Sequence, residues 1–188
     1  MTAVSEKLFE KKLAYHSAPA LLGIKCSNLF SVGNQEFDSV LQEYMNSRLS
    51  KKGLKIRVLS ETRDRKLVFV YNKDLLSKKI FSEAGLEILE NYGYSGEKTC
   101  ENYLCQLSQR IASTGGFPHE IGIFLGYPLN DVRGFIANKG QNFCLCGFWK
   151  VYDNAGAAER TFRNYSNCRR YLCTKVESGI DIFSALKI

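Results

Sequence analysis

The chain has only two histidines, His16 and His119, and histidine is the side chain best suited to moving a proton near neutral pH. Both lie in proline-bearing stretches, His16-Ser17-Ala18-Pro19 and Phe117-Pro118-His119-Glu120. Glu120 follows His119 directly and is placed to orient a ring or a substrate. His119, Glu120 and His16 are therefore the candidates for general acid–base work. Lys25, Ser27 and Tyr127 add an amine and two hydroxyls near the same two segments, so the ligand-binding set is His16, Lys25, Ser27, His119 and Tyr127. A structural explanation stands beside this one. A histidine at a helix start often caps or packs, and consecutive helical residues point about 100° apart, so His119 and Glu120 need not face one site.

Seven cysteines, an odd number, cannot all pair within one chain and are most simply reduced thiols. Cys144 and Cys146 would share a face if their segment is a strand. The pairs Cys100 with Cys105 and Cys168 with Cys173 lack zinc-knuckle spacing, however, so no metal site is assigned and the sequence names no cofactor. Gly93-Tyr94-Ser95-Gly96-Glu97-Lys98-Thr99 lacks both the glycine interval and the Gly-Lys junction of a phosphate-binding loop. The aromatic run Phe148-Trp149-Lys150-Val151-Tyr152 reads as a sheet face covered by helices rather than as a platform for bases.

These residues need elements to hold them. An amphipathic helix is expected over residues 5–16, ended by His16-Ser17-Ala18-Pro19, then a strand over 24–32 closed by Gly33-Asn34 and a helix running to Gly53. Residues 54–58 alternate as a half-buried strand does, whereas residues 67–71 are apolar on both faces and suit a sheet centre. Residues 73–113 are helical in pattern, with breaks at Gly85 and at Gly93 to Gly96. A strand over 147–152, a helix capped by Asp153 or Asn154, a strand over 171–176 and a short helix from Ile180 complete the chain. Two β-α-β-like parts thus flank a helical middle. The expected fold is mixed α/β (α+β), a single domain over 1–188 with a mixed sheet of about five strands and flanking helices.

Residues 117–140 encode a tight helical hairpin. Pro118 suits a first helical turn, Gly126 a helix end and Pro128 a second start; Asp131 lies in the second helix's first turn and Gly140 ends it. Gly122 and Gly126, followed by Val132 and Phe135 or Ile136, have the spacing of a helix-turn-helix. On that alternative Asn130, Asp131, Arg133 and Asn138 would face a nucleic-acid groove, with Lys139, Arg169 and Arg170 near phosphates. Asp131 would repel phosphate and Gly134 weakens the helix, which counts against it.

Phe117-Pro118-His119-Glu120-Ile121-Gly122, Phe124-Leu125-Gly126-Tyr127-Pro128, Gly134-Phe135-Ile136, Asn138-Lys139-Gly140 and Trp149-Lys150-Val151-Tyr152 together resemble an uncharacterised bacterial family classed as a domain of unknown function. His16-Ser17-Ala18-Pro19 and Gly23-Ile24-Lys25 are similar to that family's start, so the resemblance covers nearly the whole chain. It implies a bacterial cytoplasmic protein and carries no activity, cofactor or catalytic residue with it.

With 188 residues and 45% hydrophobic content the chain can build a core without disulfides. It has no secretory signal pattern and no apolar run of the roughly 20 residues that a bilayer requires, so a cytoplasmic protein without membrane contact is expected. The net charge of +7 permits nucleic-acid contact, but the excess is spread over both halves. The reading favoured is a small-ligand-binding or regulatory module whose site gathers the His16–Lys25 and His119–Tyr127 segments. The alternatives are nucleic-acid binding through the hairpin and an enzyme with His119 as general acid or base; oligomeric state is left open.

Overall fold

Residues 3–114 and 116–188 are described by the computed structural model. Helix α1 (Ala3–Leu21) buries Phe9, Leu13, Ala14, Ala18 and Leu21, a stripe at helical spacing. It does not stop at residues 16–19 as expected. Pro19 has no N–H to give the helical ladder, but the groups it disturbs find partners outside it. The Ala20 N–H donates to Asn28 Oδ1 at 3.2 Å, and the Pro19 carbonyl accepts from the Ile24 and Lys25 N–H groups.

Three strands follow the pattern of the sequence. β1 (Ser27–Gly33), β2 (Leu54–Glu61) and β3 (Arg65–Asn72) form an antiparallel sheet in the order β1-β3-β2. Since β1 and β2 are both antiparallel to β3, they run parallel to each other with β3 between them. The first β-α-β unit, closed by α2 (Ser39–Leu49), is therefore present in split form. β3 is central because both its faces are apolar: Val68 and Val70 enter one core with α1 and α2, while Phe69 and Tyr71 enter a second on the other side.

That second core is roofed by α3 (Lys73–Ile80), α4 (Glu83–Asn91), α5 (Cys100–Thr114) and the single-turn α6 (Ile121–Phe124). The expected break at Gly85 falls instead at Phe81 and Ser82. Ser82 caps α4 by accepting from the Gly85 N–H, and a Cβ at Gly85 would lie 2.6 Å from the Lys79 carbonyl. The glycine is there for close approach, not for a turn.

α7 (Leu129–Ala137) completes the hairpin, and β4 (Leu145–Cys146) with β5 (Lys150–Val151) makes a short antiparallel ribbon. The described residues thus hold about as many strands as expected, in a sheet of three and a ribbon of two, although β4 was not among those foreseen. Helix α8 (Ala155–Glu177), capped by Asn154, then runs unbroken through residues 171–176, where a strand was expected. No glycine or proline occurs between Ala157 and Ser178 to stop it. Ala158, Tyr165 and Leu172, seven residues apart, form its buried stripe. With α8 helical to its end, the described residues contain no second β-α-β unit. α9 (Ile182–Leu186) packs into the first core, and the Lys52 ammonium donates to its Leu186 carbonyl. Trp149, Val151, Ala158 and Tyr165 form a third, smaller apolar cluster between ribbon and α8.

Candidate functional site

The turn after α1 and the turn after α6 are fastened to each other. Ser27 Oγ donates to the Phe124 carbonyl at 2.5 Å, and the Cys26 thiol lies 3.6 Å from the same oxygen. Gly126, at φ +71°, brings its backbone so near that a Cβ would meet Cys26 Sγ at 2.6 Å. Lys25 and Tyr127, just outside this junction, are thereby held opposite one another. The Lys25 ammonium stands over the Tyr127 ring at 5.1 Å and over Tyr165 of α8 at 5.7 Å.

Beside them opens a hollow of about 480 Å3 that draws its walls from all three apolar clusters, with Phe30, Leu29 and Phe148 contributed by one each. Its volume is that of a small-molecule site. Lys25 is 6% exposed, and among the described residues its ammonium has no hydrogen-bond or ion-pair partner. Arg169 on α8 also lines the hollow without a carboxylate, its guanidinium lying 4.4 Å from the Tyr15 ring centroid and 5.5 Å from that of Phe148. His16 stacks flat on Phe30 at 5.1 Å. Asn28 uses Oδ1 for Ala20, leaving its Nδ2 with no partner among the described residues. Among the described residues no aspartate or glutamate lines the hollow.

Burial pushes the Lys25 amine down to about 8 from its ordinary value of 10.5. His16 is held below its usual range, first by burial and then by the charges of Arg169 and Lys12, so its ring is neutral at pH 7. Tyr127 is pushed up to about 12 by burial and keeps its proton, which it donates to the Phe148 carbonyl at 3.1 Å. The hollow therefore offers positive charge and N–H donors against an aromatic lining, an arrangement that accepts an anion and repels a cation.

Of the residues singled out in the sequence, His16, Lys25 and Tyr127 share this hollow, while Ser27 is fully buried in the junction behind it. His119 lines a neighbouring hollow, edge-on to Phe135 at 5.3 Å. Glu120 turns away from both into the core, where Arg110 Nε donates to it at 2.5 Å and the Tyr94 hydroxyl at 3.2 Å. His119, Glu120 and His16 are thus not brought together. On α7, Asn130 donates to Asp153, Arg133 pairs with Glu87 at 2.6 Å, and Lys139 is exposed just past the helix. Asp131 is 4% exposed and faces the ribbon, not a groove. Cys144 and Cys146 are free and exposed, and among the described residues no three His, Cys, Asp or Glu side chains are grouped as metal ligands.

Arg169, Asn28 and Phe148 were missed as partners of Lys25. For Arg169 the signal lay in the phase of α8: Tyr165, Arg169 and Leu172 are four and three residues apart and share one face once residues 171–176 are helical.

The chain belongs to the family described as Protein of unknown function (DUF3793), which it matches over residues 13–186, a stretch that includes every wall of the Lys25 hollow. No curated protein and no solved structure matches it. Among the described residues no helix is long and apolar enough to cross a membrane.

Proposed function

We propose that this protein is a small-ligand-binding module, and that its ligand is an organic anion held against Lys25. One observation carries the reading: a lysine 6% exposed that, among the described residues, has no anionic partner, in a hollow where Arg169 likewise has none and no acid lines the wall. Burying an unpaired ammonium costs several kcal/mol, and two cation–π contacts return about 1–2 kcal/mol of that. A fold that only needed to fill this space would do so with an apolar side chain. An incoming carboxylate or phosphate supplies the missing charge, Arg169 and Asn28 add donors, and Phe30, Phe148 and Tyr127 cover the ligand's apolar part.

Anion binding favours protonated Lys25, so affinity is greatest below pH 8 and falls about tenfold per pH unit above it. The test is calorimetric titration with benzoate, phenyl phosphate and inorganic phosphate at pH 7 and pH 9. At least one aromatic anion is expected to bind the natural protein, to bind more weakly at pH 9, and to be lost in Lys25→Met. Equal binding by natural protein and Lys25→Met, or no binding by either, would overturn the assignment.

A further inference from the structure

Next to the Lys25 hollow lies the second one, of about 300 Å3, between α6, α7 and the ribbon. Phe117, Ile121 and Tyr127 line both, so the two spaces are neighbours that share these side chains as walls. Their chemistry is opposite. The second is walled by Pro118, Val132, Phe135 and Trp149, and its buried polar groups are already engaged. Asp131 accepts from Trp149 Nε1 at 2.7 Å and from the Tyr152 and Asp153 N–H groups, and Lys150 Nζ donates to the Gly140 carbonyl at 2.7 Å. Besides these, His119 and Cys146 line it and are exposed, and the Lys150 ammonium, half-buried at its rim, has the Phe135 and Phe143 rings beside it. One hollow thus has buried cationic groups without a carboxylate among the described residues, and its neighbour has mainly apolar walls and a buried carboxylate, Asp131, that is already satisfied.

We infer that the two hollows form one bipartite site for an amphipathic anion, with the carboxylate or phosphate head at Lys25 and an unbranched apolar tail passing Phe117 into the second space. This rests on the anion reading of the Lys25 hollow and adds the class of the ligand. Phe117, the shared wall, is 58% exposed and lightly packed for so large an apolar side chain, as suits a side chain that a tail must pass. Each methylene that leaves water for the second hollow strengthens binding, while the head sets the position of the whole molecule.

The chain-length series of straight carboxylates from acetate to decanoate, with octyl phosphate beside octanoate, tests this by calorimetric titration at pH 7. Affinity is expected to rise by about fourfold per methylene and to level off once the second hollow is full. Octyl phosphate against octanoate shows which head the site prefers. Cys146→Trp, a change at an exposed wall position, should bring the levelling-off to a shorter tail and leave acetate and butyrate within twofold. Lys25→Met should weaken every member. An affinity that is lost with Lys25 but flat along the series would overturn the bipartite site and leave the anion reading standing. Tail-dependent binding that persists in Lys25→Met would overturn it as mere apolar partitioning. If neither any carboxylate nor octyl phosphate binds the natural protein, both readings fall.

Discussion

Lys25 and Asp131 are withdrawn from water to almost the same degree, 6% and 4% exposed, and the protein treats them in opposite ways. Asp131 accepts three hydrogen bonds and ties the start of α7 to the ribbon, whereas Lys25 has two aromatic faces beside it and no counter-charge. Depth of burial therefore does not separate a structural charge from a functional one. The provision of partners distinguishes the two: a satisfied buried charge helps to specify a fold, and an unsatisfied one facing a hollow is what the proposed anion site rests on.

The comparison breaks first if Asp131 can be removed lightly. Asp131→Ala strands the Trp149 indole N–H and two backbone N–H groups, and should lower stability by about 3–5 kcal/mol in urea unfolding. A loss below about 1 kcal/mol would make the two charges alike. Lys25→Met should move the other way and stabilise the unliganded protein by up to about 3 kcal/mol, seen as a melting temperature higher by several degrees.

The sign of this effect can be followed with pH. Because the folded amine titrates near 8 and the unfolded one near 10.5, the unfolded chain binds more protons between those values. The natural protein should gain stability relative to Lys25→Met as pH rises from about 8 to 10.5, and below 8 the deficit should be full. Glu10 sharpens the picture at acid pH. Burial, with Asp181 and Glu6 nearby, raises its carboxyl to about 7, so the folded state binds the extra proton and stability should fall as pH rises from 4.5 to 7. Glu10→Gln should flatten that slope in melts taken across the range. The smallest effect belongs to Arg133→Ala on the exposed face of α7, where loss of the Glu87 pair should change stability by less than about 0.5 kcal/mol.

Much of the frame was legible because local rules agreed with tertiary placement. Residues 67–71, apolar on both faces, became the central strand, and Gly126 and Pro128 separated α6 from α7 as their backbone preferences require. His16, Lys25 and Tyr127 were legible as neighbours of suggestive segments. Ser27 was legible only as a hydroxyl near them; that its proton goes to the Phe124 carbonyl depends on two turns nearly a hundred residues apart. Residues 171–176 failed for a different reason. Tyr171, Cys173 and Lys175 alternate with Leu172, Thr174 and Val176 in a way that suits a strand, and only the absence of a stop signal after Gly156 argues for helix. That one misplaced period hid the face that Arg169 shares with Tyr165 and Leu172, and Arg169 was read only as a phosphate contact. Asp131 was placed correctly in the first turn of α7, but its partners lie on a ribbon of two-residue strands that no periodicity announces.

The Lys25 ammonium lies between the rings of Tyr127 and Tyr165, and Arg169 stands one turn beyond on α8. During synthesis, α1 and β1 are complete long before α8 has been made, so the hollow is an open, half-walled surface until the ribosome has passed residue 169 and α8 has folded back on α1. Over that interval the lysine is in water, at ordinary basicity and without selectivity. The environment of Lys25 is thus completed late in the protein's synthesis, and a chain released before α8 has docked lacks the wall that Tyr165 and Arg169 provide.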